Sequence, residues 1–468
     1  MAARLKANAL SFSELLIMGV AGSAPGFSIA VAIAGLVGAA GTVSPNAILI
    51  FAIPMLGISI AYKGLNQRVP NAGAAYEWTK QTFGKFFGYF SGWALLVAAM
   101  VFMVTGSVPL GTATIDLFNP DYAANVLLTT SIGAVWFIVI GAVLITGIKL
   151  TSQIQIFMSS IELIILAVIS IAAFIHAGTA GAVTPFSWGW FGFAYPDGSF
   201  APSCLLVVFL YWGWDVTCNL SEETMKKPAN AAGTSGFLSM FITMASFLAF
   251  TVAALLLFSL KDASGFSDNL IYHVALQAGL GPVGGLLASL ALILSSIATL
   301  ETTMLQFSRT LFAMGRDRAL PTAFGVVDDK TATPVRAMVL LMILGLVLIF
   351  LTSFMPSLGK IFTDSVNAIA VQVCYYYGLA GIVCFWAYRS SFKRAFGEFV
   401  VYGIFPLLSG LTLIGLGLYA ITTFDITTKL VGIGGLLAGI VFYHPEGYGR
   451  DKVFPFLERM MLRLRGGD

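Results

Sequence analysis

Residues 14–40 form an apolar run of helix length, ELLIMGVAGSAPGFSIAVAIAGLVGAA, that is interrupted near its middle by GSAPG at 22–26. Proline removes a backbone donor and clashes with the preceding turn, while glycine loosens the helix on both sides. A second apolar run, 201–221, contains FLYWGWD at 209–215. For either run alone, a kinked helix packed tightly on its neighbours is the alternative. Together the two runs predict helices that break within an apolar layer.

Similar runs recur along all 468 residues, of which 58% are hydrophobic and 10% charged. So few charges could not cover the surface of a water-soluble domain. Continuous rather than alternating apolar runs also argue against a membrane β-barrel. We therefore predict an all-α polytopic membrane protein with twelve transmembrane helices. The predicted spans are 14–40, 43–62, 87–110, 125–146, 154–177, 201–221, 232–259, 283–308, 335–354, 361–385, 399–420 and 427–443.

The distribution of Lys and Arg predicts the orientation. An even number of spans puts both termini on one side, and 22 of the 25 basic residues fall on that side, whereas the opposite loops contain only Lys261, Lys360 and Lys429. Cytoplasmic loops carry an excess of Lys and Arg. Both termini are thus expected in the cytoplasm, and the protein in the cell (plasma or inner) membrane. The expected partners are the lipid bilayer and a small molecule, with no nucleic acid.

Three acidic residues lie well inside predicted spans, six or more residues from either end: Glu162 in the fifth, Asp215 in the sixth and Glu301 in the eighth. No Lys or Arg lies in the interior of a predicted span, and a charge at the bilayer centre costs on the order of 2.5–3.5 kcal/mol. We expect these acids to be protonated, to bind a cation or to line a wet cavity. For any one of them, a protonated carboxyl bonded to nearby backbone is the alternative. All three are candidates for proton coupling or cation binding.

The positions of the two interruptions point to a transport site. Spans one and six enter the membrane from opposite sides, as the first helices of two inverted five-helix repeats would. Interrupted segments at matching places in two halves indicate a transporter binding site. There, freed N–H groups can bind an anionic group, and freed carbonyls can bind an amine or a cation.

Three segments resemble the amino acid–polyamine–organocation (APC) superfamily of permeases. They are PNAGAAY at 70–76 with the glycines and tryptophan that follow it, YWGWD at 211–215 with EET at 222–224 and Pro228, and SRTLFAMGRDRALP at 308–321. The resemblance implies the LeuT-type fold: inverted repeats of helices 1–5 and 6–10, with helices 1 and 6 broken, and two extra C-terminal helices. Residues 1–385 would form the transport core, and residues 386–468 would form helices 11–12 and a basic cytoplasmic tail.

The resemblance also implies where a substrate binds. The break in helix one, whose backbone binds the substrate carboxylate in the family, falls on Ser23, Ala24 and Pro25. Pro25 has no N–H, so the N–H groups of Ala24 and Gly26 are expected to remain for this role. Phe209 falls on an aromatic residue that closes over the substrate. The substrate-binding candidates are Ser23, Ala24, Pro25, Gly26, Phe209, Tyr211, Trp212 and Gly213.

The resemblance implies secondary active transport by alternating access rather than enzyme activity, and two substrate classes stay open. The first is an amino acid moved by proton-coupled symport, with Glu162 and Asp215 as proton carriers. In several family members a lysine occupies the position of Glu162 and can stand in for a bound sodium; glutamate cannot do this, but it can carry a proton or help to hold a cation. The alternative is a polyamine or cationic amino acid transporter or exchanger, because the acids and the aromatics of 211–214 suit ammonium groups.

The sequence predicts neither a cofactor nor a metal site. The proton is the expected coupling ion; sodium is the lesser option, with hydroxyls from Ser295, Ser296 and Thr299. Glu222 and Glu223, next to Lys226 and Lys227, are interpreted as gate or surface ion-pair residues. One ring of Tyr375, Tyr376 and Tyr377 is expected to face the cavity, and the sequence does not determine which one.

Overall fold

The computed structural model describes residues 4–123, 125–225, 230–266, 269–355 and 357–448. Helices provide the regular structure of these residues, apart from one isolated bridge between Leu10 and Thr224. The α-helices are α1 (Phe12–Ser23), α2 (Pro25–Ala40), α3 (Ser44–Arg68), α4 (Ala75–Phe83), α5 (Lys85–Asp116), α6 (Val126–Ile145), α7 (Ile148–Ala180), α8 (Phe200–Leu210), α9 (Val216–Asn219), α10 (Ala231–Leu257), α11 (Leu260–Gly265), α12 (Leu270–Ala275), α13 (Gly281–Arg316), α14 (Val335–Thr352), α15 (Leu358–Tyr388), α16 (Phe396–Phe399), α17 (Phe405–Thr423) and α18 (Ile426–Phe442).

Short helical turns complete the chain path. They are the 3₁₀ turns Gly41–Val43, Pro120–Tyr122, Trp188–Phe191, Ser221–Glu223, Thr322–Phe324 and Arg389–Lys393, and the π-helical turns Leu276–Leu280 and Val400–Ile404.

The helices have the lengths and surfaces of a membrane protein. In the described part of the chain, nine helical stretches are long and apolar enough to cross a membrane, and α8 and residues 428–442 are shorter apolar helices. The peripheral helices α6 and α14 expose large apolar side chains such as Val135 and Phe350, which are more than half exposed. Such surfaces fit lipid rather than water. The polytopic all-α prediction is confirmed, and the count of twelve spans stays a prediction.

Both ends of the described chain lie at one end of the helix bundle. Leu10 pairs with Thr224 just after α9, and the Tyr448 N–H donates to the Arg318 carbonyl at 2.8 Å just after α13. We call this the lower end. The opposite, upper end contains the loop before α8, where Tyr195 donates to Asn46 at 2.7 Å, and the Lys360–Asp425 ion pair. Lys226, Lys227, Pro228 and the basic residues after Tyr448 lie outside the described residues.

The end of the eighth predicted span differs from the end of the corresponding helix, and the difference changes where a basic residue lies. The eighth span was predicted to end at residue 308, but α13 continues to Arg316. Arg309, predicted to lie in a loop, is therefore helical and has no exposed surface. The loop position predicted for Arg309 is therefore wrong. The polar run SRT at 308–310 concealed the helix because hydropathy falls there while the helical hydrogen bonds continue.

Candidate functional site

The two predicted interruptions meet at the centre of the bundle. α1 ends at Ser23 and α2 begins at Pro25, with Ala24 between them in the left-handed region at φ 47°. α8 ends at Leu210, and α9 begins only at Val216. A Cβ atom on Gly22 would lie 2.3 Å from the Gly213 carbonyl oxygen, and one on Gly213 would lie 2.2 Å from that of Gly22. The two broken segments therefore cross in direct backbone contact.

The N–H groups at the start of α2 are all engaged by the chain itself. The Gly26 N–H donates to Glu162 Oε1 at 2.7 Å, and the Phe27 N–H donates to Ser295 Oγ at 2.9 Å. The Ala24 N–H donates to the Val20 carbonyl at 3.0 Å and thereby closes α1. The expectation that the Ala24 and Gly26 donors remain free for a substrate is therefore wrong for this conformation.

Glu162 acts as the cap of α2. The positive end of a helix dipole favours a carboxylate, and Pro25 leaves Gly26 as the first donor of the helix. Glu162 is 1% exposed, and its second oxygen, Oε2, has no hydrogen-bond partner among the described residues. A Cβ atom on Gly26 would lie 3.1 Å from Glu162 Oε1. Glu162 of the fifth predicted span can thus bind at the break because Gly26 has no side chain to keep the carboxylate away.

Asp215 lies on the other side of the crossing, where two tyrosines bind it. The Tyr377 hydroxyl donates to Asp215 Oδ1 at 2.9 Å, and the Tyr376 hydroxyl donates to Oδ2 at 3.3 Å. The Trp212 indole N–H donates in turn to the Tyr376 hydroxyl at 2.5 Å. Asp215 and both tyrosines are fully buried, whereas Tyr375 is half-buried. Two rings of the tyrosine triplet, Tyr376 and Tyr377, therefore contact the site, where one was expected.

Aromatic side chains cover the crossing on its upper side. Phe102 lies between Phe27, Phe209 and Trp212, with ring centroids 5.8, 6.5 and 5.4 Å away. Phe362 of α15 contacts both Phe27 and Phe209, at 6.4 and 6.2 Å. We call these five residues the aromatic lid. Phe27, Phe102, Phe209 and Trp212 are all buried, so the lid separates the break from the upper end.

Some predicted site residues lie elsewhere. Tyr211 points away from Asp215: its hydroxyl donates to the Ile48 carbonyl at 3.3 Å, and its ring packs on Phe247. The Ser23 hydroxyl donates to Gly19 at 3.4 Å within its own helix. Glu301 lies on α13 six residues below Ser295, towards the lower end, and is 2% exposed. It is therefore outside the crossing itself.

The hydroxyls considered for sodium are largely engaged at the break. Ser295 accepts the Phe27 N–H, and the Thr299 hydroxyl donates to the Gly22 carbonyl at 3.3 Å. These bonds hold α13 against the broken helix. Within the described ranges, no group of three or more His, Cys, Asp and Glu side chains could hold a metal ion.

Ion pairs join the elements of the lower end. Arg309 donates to both oxygens of Glu223, at 3.0 and 2.9 Å, and neither side chain has exposed surface. Arg316 binds Glu222 in the same two-point manner, and Glu222 also accepts the Ala72 N–H at 2.9 Å. The two glutamates thus pair with arginines of α13. These arginines are distant in the sequence, so the residues next to the glutamates do not indicate them.

Comparison with known proteins agrees with this architecture. A family model described as amino acid permease matches residues 10–442. The vacuolar cationic amino acid transporter 8 of Arabidopsis thaliana is 26% identical over 359 residues, which cover 71% of this chain but only 58% of that longer protein. The serine/threonine exchanger SteT of Bacillus subtilis is 24% identical over 407 residues, 85% of each chain. The low-affinity putrescine importer PlaP of Escherichia coli is 25% identical over 387 residues, 79% of each chain.

The relatives are transporters by name, and the family match spans nearly all of the chain, including both helix breaks and the α13 motif. The chain belongs to the amino acid permease family of the APC superfamily.

Proposed function

We propose that this permease moves an amino acid together with a proton, by alternating access. The observation that carries the proposal is the 2.7 Å hydrogen bond between the Gly26 N–H and Glu162. An amino acid whose carboxylate binds at the break needs the same donor. Substrate and Glu162 therefore compete for one N–H group.

This competition supplies the coupling. When the substrate carboxylate takes the Gly26 N–H, Glu162 loses its backbone donor in a buried position, where an anion is poorly stabilised. Glu162 then takes up a proton. When the substrate leaves on the other side, the N–H is free again, and Glu162 releases the proton and rebinds. One proton moves with each substrate molecule.

Alternating access also requires one closure on each side of the substrate site, and two sets of contacts can serve as these closures. The aromatic lid covers the crossing from the upper end, and the Arg309–Glu223 pair joins α13 to the segment after α9 at the lower end. In our proposal these closures open in turn. In this proposal the substrate ammonium group meets the face of Trp212, with Asp215 as the nearest buried acid on that side.

The larger architecture is part of the same proposal. Twelve spans form the LeuT-type arrangement, with helices 1–5 and 6–10 as inverted repeats in a core of residues 1–385. Helices 11–12 and a basic tail occupy residues 386–468. In this proposal the lower end faces the cytoplasm, because 22 of the 25 basic residues fall in segments predicted for that side, and the membrane is the cell membrane.

Transport into proteoliposomes tests the coupling. We expect an inward proton gradient to accelerate amino acid uptake by the natural protein, and a protonophore to abolish the acceleration. Glu162→Gln keeps a hydrogen-bond acceptor for Gly26 but cannot exchange a proton. This variant should retain exchange of internal for external substrate and lose its response to the gradient.

Thr299→Val is the matched control, because it removes a neighbouring hydrogen bond at the break, to the Gly22 carbonyl at 3.3 Å, without removing an ionisable group. It should weaken substrate affinity while uptake still follows the gradient. If uptake by the natural protein ignores both the gradient and the protonophore, proton coupling is wrong.

Transport of an amine is the second candidate, and the engaged donors of α2 favour it. With Glu162 bound to Gly26, the chain itself fills the place of a substrate carboxylate. A polyamine has no carboxylate and could bind without displacing Glu162. The similarity to a putrescine importer and to cationic amino acid transporters supports this class. Thermal unfolding with equal concentrations of neutral amino acids, arginine and putrescine discriminates: stabilisation by putrescine and not by neutral amino acids favours the amine.

A further inference from the structure

A line of buried polar side chains follows one face of α7. Ser152, Gln155, Ser159 and Glu162 are spaced by three, four and three residues, which places them on one side of the helix. All four are buried. With a rise of about 1.5 Å per residue, the line extends about 15 Å from Glu162 towards the lower end.

α13 supplies a further acid beside this line. Gln155 Nε2 donates to the Ala298 carbonyl at 2.8 Å, whereas Glu162 lies level with Ser295 next to Gly26. Glu301 follows Ala298 by one turn on the same face of α13, and its carboxyl contacts the Gln155 amide. Glu301 therefore lies between Glu162 and the lower end.

Several atoms along the line need hydrogen-bond partners. Glu162 Oε2, Ser159 Oγ, Gln155 Oε1 and Glu301 Oε2 are buried, and none has a partner among the described residues. Buried polar groups in proteins are normally satisfied by protein or by water. Water molecules between the two helices would satisfy all four atoms.

At its lower end the line reaches solvent. The Ser152 hydroxyl donates to Glu14 Oε1 at 2.8 Å, and Lys149 Nζ donates to the same oxygen at 2.6 Å. The Lys149 side chain is 44% exposed. The line therefore begins at the acid of the helix break and ends at an ion pair in contact with water.

We propose that this face of α7 conducts the proton between Glu162 and the lower end, with Glu301 as the intermediate acceptor. The proposal rests on the proton coupling proposed above and assigns it a route apart from the substrate. Glu162 gives its proton through water at Ser159 to Glu301, which passes it through water held beside Gln155 and Ser152 to the solvent at Glu14. Each carboxyl accepts one proton and releases one, so charge and atoms balance.

The surroundings of the line add few other ionisable groups. α1 contributes Glu14 and α13 contributes Glu301, while the sequences of α2, α6 and α10 contain no Asp, Glu, His, Lys or Arg. The other charged residues of α13, Arg309 and Arg316, bind Glu223 and Glu222. His176 of α7 and His273 of α12 belong to the upper half of the bundle.

The test compares two modes of transport in proteoliposomes. Exchange of internal for external amino acid requires no net proton movement, whereas net uptake driven by a proton gradient does, and a pH-sensitive dye records proton entry. We expect Glu301→Gln and Gln155→Leu each to slow net uptake and proton entry about tenfold while exchange stays within about twofold. Ser159→Ala is a milder third variant and should affect the same two readouts.

Ser170→Ala is the matched control. Ser170 lies on α7 two turns above Glu162 and donates only within its own helix, to the Leu166 carbonyl at 2.8 Å. It should change neither mode. Net uptake and proton entry at the natural rate in all three route variants would overturn the route. So would an equal loss of exchange and net uptake, because these residues would then act on substrate movement or folding. A natural protein without proton-driven uptake would instead contradict the proposed function.

Discussion

Gly213 is held at φ +102°, a conformation that side chains with a Cβ atom rarely adopt, and it touches the Gly22 backbone. The crossing therefore depends on the absence of a side chain at both positions. The two broken segments can approach each other backbone to backbone only because neither glycine carries a side chain. The glycine in YWGWD is thus a packing requirement as well as a helix breaker.

Gly213→Ala tests this dependence. The new Cβ would lie 2.2 Å from the Gly22 carbonyl oxygen, so the broken segments must separate. We expect a loss of stability on the order of 1–3 kcal/mol, typical of overpacking, together with loss of transport. Thermal unfolding in detergent and uptake measure the two effects. Gly415→Ala, at a helical glycine with nothing within 4 Å of its Cβ position, is the control and should unfold at or above the natural temperature. Equal behaviour of both variants would contradict a tight crossing.

At the scale of the helices, the sequence predicted most elements and both breaks, because apolar length and the residues Pro25, Gly26 and Gly213 act locally. Contacts between elements that are far apart in the sequence could not be predicted in the same way. Glu162 was recognised as a buried acid, but its bond to Gly26 joins residues 136 positions apart. Consecutive tyrosines cover most faces of a helix, so only packing shows that Tyr376 and Tyr377 meet Asp215.

The Arg309–Glu223 pair shows the same limit. Arg309 follows a polar stretch that looks like a loop, and its partner lies in a short turn beyond α9. Only the tertiary arrangement shows that the two side chains are fully buried against each other. A buried pair of this kind fixes the relative position of two elements, because either charge alone would be left without compensation.

Arg309→Ala should therefore be far more damaging than Arg316→Ala. Breaking a buried ion pair costs about 3–5 kcal/mol, whereas an exposed pair contributes about 0–1 kcal/mol. Arg316 is the matched control, since it also donates two hydrogen bonds to the carboxylate of a glutamate, Glu222, but is 36% exposed. Thermal unfolding of both variants gives the comparison, and adding Glu223→Gln to Arg309→Ala should recover part of the loss. Similar unfolding temperatures for the two single variants would show that the pair does not join these elements.

At the scale of the whole molecule, the ends of the described chain and the loops rich in Lys and Arg belong to the same end of the bundle. Leu10 and Tyr448 both lie at the lower end, which carries the loops rich in Lys and Arg. The upper end has loops rich in aromatic residues, such as Trp188 at 81% exposed. Charge asymmetry of this strength predicts the orientation independently of any site residue.

Thiol labelling in intact cells tests the orientation. The four native cysteines are all buried, so single cysteines introduced at the surface can be labelled selectively. Trp188→Cys at the upper end should react with a membrane-impermeant maleimide added outside. Asp329→Cys, exposed in the loop between α13 and α14 at the lower end, should react only after the membrane is permeabilised. Both variants should label equally in detergent, which controls for local access. The reverse pattern would place the lower end outside and would reverse the direction in which the α7 route delivers protons.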